Sequence, residues 1–91
     1  MNEIDKLFDT SGIIKTQQKI RVSIIRRKFT KVITIITGFD KDTNTEELCR
    51  EMKRSFGVGG TVKEGNIEIQ GNNKQRAEEF LKKSGYNILE G

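Results

Sequence analysis

The chain has 91 residues, about a third of them apolar and a third charged, with a formal net charge of +4. That size allows one thin-cored domain of two layers of secondary structure, and the apolar share excludes a wholly disordered chain. No stretch approaches the roughly 18 apolar residues that span a bilayer, the acidic start is unlike a secretory leader, and the one cysteine, Cys49, excludes an intrachain disulfide and a multi-cysteine zinc site; a cytoplasmic location is expected.

Residues 1–18 mix charges, carry scattered Ile, Leu and Phe, and hold Ser11-Gly12 in their middle. They read as a flexible N-terminal tail, with at most a short helix over Ile4 to Phe8, ahead of a domain at 19–91. From Lys19 to Arg26 the sequence alternates, Ile20, Val22 and Ile24 pointing one way and Arg21, Ser23 and Ile25 the other, as a half-buried strand does. Val32 to Thr37 is β-branched throughout and predicts a second strand, apolar on one side through Ile33 and Ile35 and in part on the other through Val32 and Ile36. The six residues from Arg26 to Lys31 then form a hairpin loop carrying four cations and the aromatic Phe29.

Gly38 closes the second strand. Thr43 followed by Glu46 has the spacing of a capping box and predicts a helix start, and Leu48, Cys49, Met52 and Phe56 recur at helical spacing as one apolar stripe. Arg50, Lys53 and Arg54 fall on its other faces, and Gly57 supplies a left-handed stop. Two short strands, Thr61 to Lys63 and Ile67 to Gln70, flank the tight turn at Glu64-Gly65-Asn66, with Val62, Ile67 and Ile69 inward. Asn72 or Asn73 caps a second helix with Ala77, Phe80 and Leu81 buried, Gly85 ends it, and Tyr86 to Leu89 makes a last edge strand. The expected fold is α+β, a two-layer sandwich of a mixed five-stranded sheet with two helices on one face, in the order β-β-α-β-β-α-β.

Catalytic chemistry finds little support. The chain has no histidine, so neither Ser-His nor Cys-His pairing can exist, and no residue cluster has metal-ligand spacing. Gly57-Val58-Gly59-Gly60-Thr61 follows a helix and precedes a strand, the reverse of a phosphate-cradling loop, and reads as a helix stop and turn. An acylphosphatase-like site would need a phosphate loop between the first strand and first helix, where this chain has a second strand. No enzyme, metal or cofactor is expected. Binding remains. Seven cations and no acid lie between Lys15 and Lys31, flanked by acid-rich stretches, and such segregation makes a local field that attracts a polyanion. A merely solvated basic face is the plain alternative. Three patches weigh against it: the hairpin loop, the helix face of Arg50, Lys53 and Arg54, and Lys74 with Arg76. Flexible cations beside an aromatic suit RNA phosphates and an unpaired base.

Several blocks resemble the eukaryotic and archaeal translation initiation factor 1 family: Lys31 to Gly38, a helix ending in Phe56, Gly59-Gly60-Thr61-Val62-Lys63, and Ile67-Glu68-Ile69-Gln70-Gly71. The hairpin loop looks more like the archaeal members, and the similarity covers about Ile20 to Tyr86. It implies the same open two-layer fold and a monomeric factor of protein biosynthesis. Such a factor binds small-subunit rRNA near the peptidyl site, works with mRNA, initiator tRNA and other initiation factors, and enforces start-codon fidelity. It implies RNA contacts by Arg26, Arg27, Lys28 and Lys31, beside which Phe29 is expected to stack on a base, ribosome contacts by Arg50, Lys53 and Arg54, and a fidelity turn at Gln70, Gly71, Asn72 and Asn73, next to the expected contact Lys74. In the family an acid usually stands at Asn72 and a cysteine commonly at Val58, and many archaeal members have a cysteine-rich N-terminus that this tail lacks. A recycling or density-regulated-type factor of the same fold, and a basic-faced protein-interaction adaptor, are the competing readings.

Overall fold

A computed structural model of the chain describes residues 18–28 and 31–89. The short helix expected over Ile4 to Phe8 lies outside these residues, as does Phe29. Strand β1 is Lys19–Arg27, β2 Lys31–Thr37, helix α1 Thr45–Phe56, β3 Gly60–Lys63, β4 Asn66–Gln70, α2 Lys74–Lys83 and β5 Asn87–Leu89. The element order is the one the sequence predicts. The strands form a five-stranded sheet in the order β3-β4-β2-β1-β5. β1–β2, β2–β4 and β3–β4 pair antiparallel, while β5 runs parallel to β1 at the edge, so the sheet is mixed.

Connections between parallel strands are right-handed. Here β2–α1–β3 and β4–α2–β5 run in opposite directions toward opposite edges, so one common hand sets both helices on the same face. Their stripes meet the sheet in one core: Leu48, Cys49 and Met52 from α1, Ala77 and Leu81 from α2, and Ile20, Val22, Ile36, Ile67 and Ile69 from the strands. Phe56 and Phe80 pack edge to face, 6.0 Å apart, where the helices approach each other.

Two local expectations shift. In β2 the buried side is that of Thr34 and Ile36, both 0% exposed, and Ile33 and Ile35 lie only half-buried on the opposite face. Alternation could not choose, because both sides of this strand are β-branched. What decides is Thr34, whose hydroxyl donates to the Gly71 carbonyl at 2.7 Å and accepts from the Asn73 N–H at 2.8 Å. A buried hydroxyl satisfied at both ends carries little penalty. At α1 the cap is Asn44, not Thr43: its Oδ1 accepts from the Glu47 N–H at 3.1 Å. Thr43 is drawn instead to Gln18, whose Nε2 donates to Thr43 Oγ1 at 3.2 Å while its Oε1 accepts from the Asp40 N–H at 3.0 Å. Gln18 is therefore buried at the start of β1.

The glycine-rich stretch is structural. Gly57 takes the left-handed cap with φ of 68°. A Cβ on Gly60 would stand 2.7 Å from the Glu68 carbonyl and 2.8 Å from Ile69 Cδ1, so only glycine lets β3 close against β4. The turn at Glu64 and Gly65 has positive φ at both residues, 52° and 79°, as a tight two-residue hairpin requires.

Candidate nucleic-acid interface

The basic hairpin is tighter than its sequence implied. The strands continue through Arg27 and resume at Lys31, and the Lys31 N–H donates to the Lys28 carbonyl at 3.2 Å. Because the register pairs Arg26 with Val32 and Arg27 with Lys31, strand alternation sorts the cations. Arg26 is on the helix-bearing side of the sheet. Arg27 and Lys31 share the opposite face, an open one that neither described helix covers. Arg26, Arg27, Lys28 and Lys31 are all exposed. One is tied down: Arg27 Nη1 meets Glu68 Oε1 at 3.4 Å, with the arginine side chain 44% exposed and the glutamate 13%. Among the described residues no carboxylate pairs with Arg26, Lys28 or Lys31.

The Gln70–Lys74 turn sits at the root of this finger. The Gly71 N–H donates to the Val32 carbonyl at 2.7 Å, extending the β2–β4 ladder by one rung. Asn73 occupies the cap position of α2, yet its side chain donates to the Gln70 carbonyl at 2.7 Å and gives the helix no capping bond. Asn72 Oδ1 accepts only a long contact, 3.4 Å, from the Lys74 N–H. Asn73, 5% exposed, is thus a buried brace, and Gln70 and Asn72 are the exposed members. An open cavity of about 420 Å³ lined by Lys31, Val32, Ile33, Gln70 and Gly71 joins finger and turn.

Two of the α1 cations, Arg50 and Lys53, border a different groove. Arg50 and Arg54 are exposed and Lys53 half-buried. Arg50 and Lys53, with Glu46, Cys49 and Gly60 to Val62, line a hollow of about 260 Å³ between α1 and β3. Burial pushes the Cys49 thiol above its ordinary value, with Lys53 opposing that shift in part, so the thiol is packing and not a poised nucleophile. Arg76, grouped with Lys74 in the third patch, is fastened to the end of α1. Its Nη1 donates to the Phe56 carbonyl at 3.3 Å, and its guanidinium lies 5.9 Å from the Phe56 ring centre.

Sequence reasoning missed Glu68, Thr34 and this role of Arg76. Only the first left a readable signal, as the one acid in a strand otherwise apolar or neutral. No helix among the described residues is long and apolar enough to cross a membrane, and no group of three or more His, Cys, Asp or Glu among them could hold a metal ion.

The family pattern described as Translation initiation factor SUI1 matches residues 16–87. A protein of Methanococcus vannielii named protein translation factor SUI1 homolog is 41% identical over 75 residues, which is 81% of this chain and 74% of that one. Proteins of the same name from Thermococcus gammatolerans and Pyrococcus horikoshii are each 37% identical over 87 residues, 94% of this chain and 88% and 87% of theirs. The matched span takes in both helices and strands β1 to β4 and reaches the first residue of β5, and the chain belongs to the SUI1 family of translation initiation factors.

Proposed function

We propose that this factor binds the small ribosomal subunit near the peptidyl site and enforces start-codon selection by steric and electrostatic exclusion, with no bond made or broken. The observation that carries this reading is the finger. Four like charges crowd one hairpin end, and Arg26, Lys28 and Lys31 stand exposed with no described carboxylate beside them. Such crowding opposes folding unless a polyanion repays it. On this reading Arg27, Lys28 and Lys31 contact rRNA phosphates, or the mRNA and tRNA at the decoding site. Arg50, Lys53 and Arg54 dock the body on rRNA. Gln70 and Asn72 face the same complex from the finger root. A correct codon–anticodon match lets initiator tRNA settle deeper, which clashes with the finger and expels the factor. Asn72 carries no negative charge where the family usually has an acid, so repulsion of RNA at this turn is weaker here.

The partners are thus small-subunit rRNA, mRNA, initiator tRNA and other initiation factors, met in the cytoplasm. Gradient sedimentation of a cell extract tests it. The factor is expected to travel with small subunits and to be absent from whole ribosomes. Retention at the top of the gradient would instead fit an adaptor docking its basic face on an acidic protein.

A further inference from the structure

Glu68 is the only carboxylate in any of the five strands. The register sets it on the open face, opposite Ile35 of β2 and Thr61 of β3. That face also carries Lys19, Arg21, Arg27, Lys31 and Lys63, and of these only Arg27 forms an ion pair among the described residues. Arg27 and Lys31 oppose each other at the last rung of the hairpin, where like charges repel. Arg27 turns away from that repulsion, back from the finger and across β2, to a carboxylate two strands off.

The contact is a weak one by its geometry. It is single, Nη1 to Oε1 at 3.4 Å, and the guanidinium remains 44% exposed. An exposed single ion pair is worth little, whereas guanidinium can grip phosphate through two parallel bonds. Glu68 itself is the more withdrawn partner at 13% exposed, and a shielded carboxylate resists being left unpaired.

We propose that Glu68 is a positioning residue that competes with RNA phosphate for Arg27. In the free protein Glu68 holds the guanidinium back along the sheet. In the complex a phosphate takes it, and Glu68 is left unpaired. This rests on the RNA-facing reading of the finger and adds a brake to it. Full engagement requires RNA placed well enough to win Arg27, and loss of that placement returns Arg27 to Glu68 and favours release. A factor that must leave after inspection benefits from a contact that is easily reversed.

The test is a double-mutant cycle on Glu68→Gln and Arg27→Gln, read as affinity for a short fluorescein-labelled single-stranded RNA of mixed sequence at fixed salt, with thermal melting to confirm folding. Glu68→Gln is expected to tighten binding about two- to fivefold, the range set by one surface ion pair, and that gain is expected to vanish in the Arg27→Gln background. Glu68→Thr, which suits a strand, is expected to behave like Glu68→Gln. A Glu68→Gln protein that binds as the parent does or more weakly would overturn the competition, since a carboxylate that steers Arg27 onto phosphate gives that sign. An equal gain with and without Arg27 would overturn it too, because the effect would then be net charge alone. Lys28→Gln/Lys31→Gln is measured beside them: if it binds RNA as the parent does, the RNA-facing reading and the competition fall together, and if it weakens binding, a failed cycle counts against Glu68 only.

Discussion

Arg26 and Arg27 are neighbours in sequence and stand on opposite sides of one sheet, because the hairpin register pairs the first with Val32 and the second with Lys31. Sequence alone does not show that division, because six residues with four cations and no clear alternation predict a loop and not two paired strand ends. Thr34 makes the same point about single residues. Buried at 0% exposure, it holds the start of α2 through the Asn73 N–H and the Gly71 carbonyl. Thr34→Val keeps shape and strips both bonds, leaving a buried N–H without its acceptor. A loss of about 1–3 kcal/mol in unfolding free energy is expected, read by denaturant titration against the parent chain. No loss would mean that water or a backbone shift replaces the hydroxyl. A polar residue among Ile and Val looks like an exposed position in a sequence. Only the turn arriving from β4 shows that it is a hub.

At the scale of elements, most of the fold was legible. The helical stripe Leu48–Cys49–Met52, the Ile67/Ile69 alternation and the Ala77/Leu81 pair all enter the core as their spacing predicts. Helix ends were less so. The cap of α1 moved by a single residue, because Thr43 is claimed by Gln18 and Tyr86, neither of them local to the helix. Tyr86 ties the end of α2 to this cluster, its ring edge-on to Phe39 at 5.6 Å. Burial holds its phenol above the ordinary value, with the Thr43 hydrogen bond pulling the other way in part. The sign follows from linkage. A folded-state pKa above that of the unfolded chain gives stability that is fully present below the unfolded value, about 10, and is lost as pH rises through the folded value. Cys49, raised by its burial, acts in the same direction from a lower pH. Melting temperatures are thus expected to begin falling above about pH 9, where the unfolded thiol ionises, and to fall more steeply above about pH 10, and Tyr86→Phe to flatten the steeper part. An identical alkaline profile for Tyr86→Phe would take the phenol out of the account.

For the molecule as a whole, the sheet separates two kinds of surface. One face is closed by both helices. The other is open and bears cations with a single strand carboxylate, beside Ile25, half-buried Ile33 and half-buried Ile35. The finger and the Gln70–Lys74 turn share one cavity at one end of β2, whereas Arg50 and Lys53 of α1 border a groove of their own, so the proposed ribosome contacts form at least two separate patches. The existence of the basic stretch was plain in the sequence, and so was its family resemblance. Its partial neutralisation was not, because Arg27 and Glu68 are 41 residues apart in the chain.

Everything above turns on the finger gripping nucleic acid through its charge, and the salt dependence of small-subunit binding measures that directly. For the parent chain the logarithm of affinity is expected to fall linearly with the logarithm of salt concentration. In Lys28→Gln/Lys31→Gln the affinity should drop and the slope become shallower by about 1 to 2, since each phosphate contact to single-stranded RNA contributes roughly 0.7 and to duplex about 0.9. Equal affinity and an equal slope for the two proteins would contradict the account.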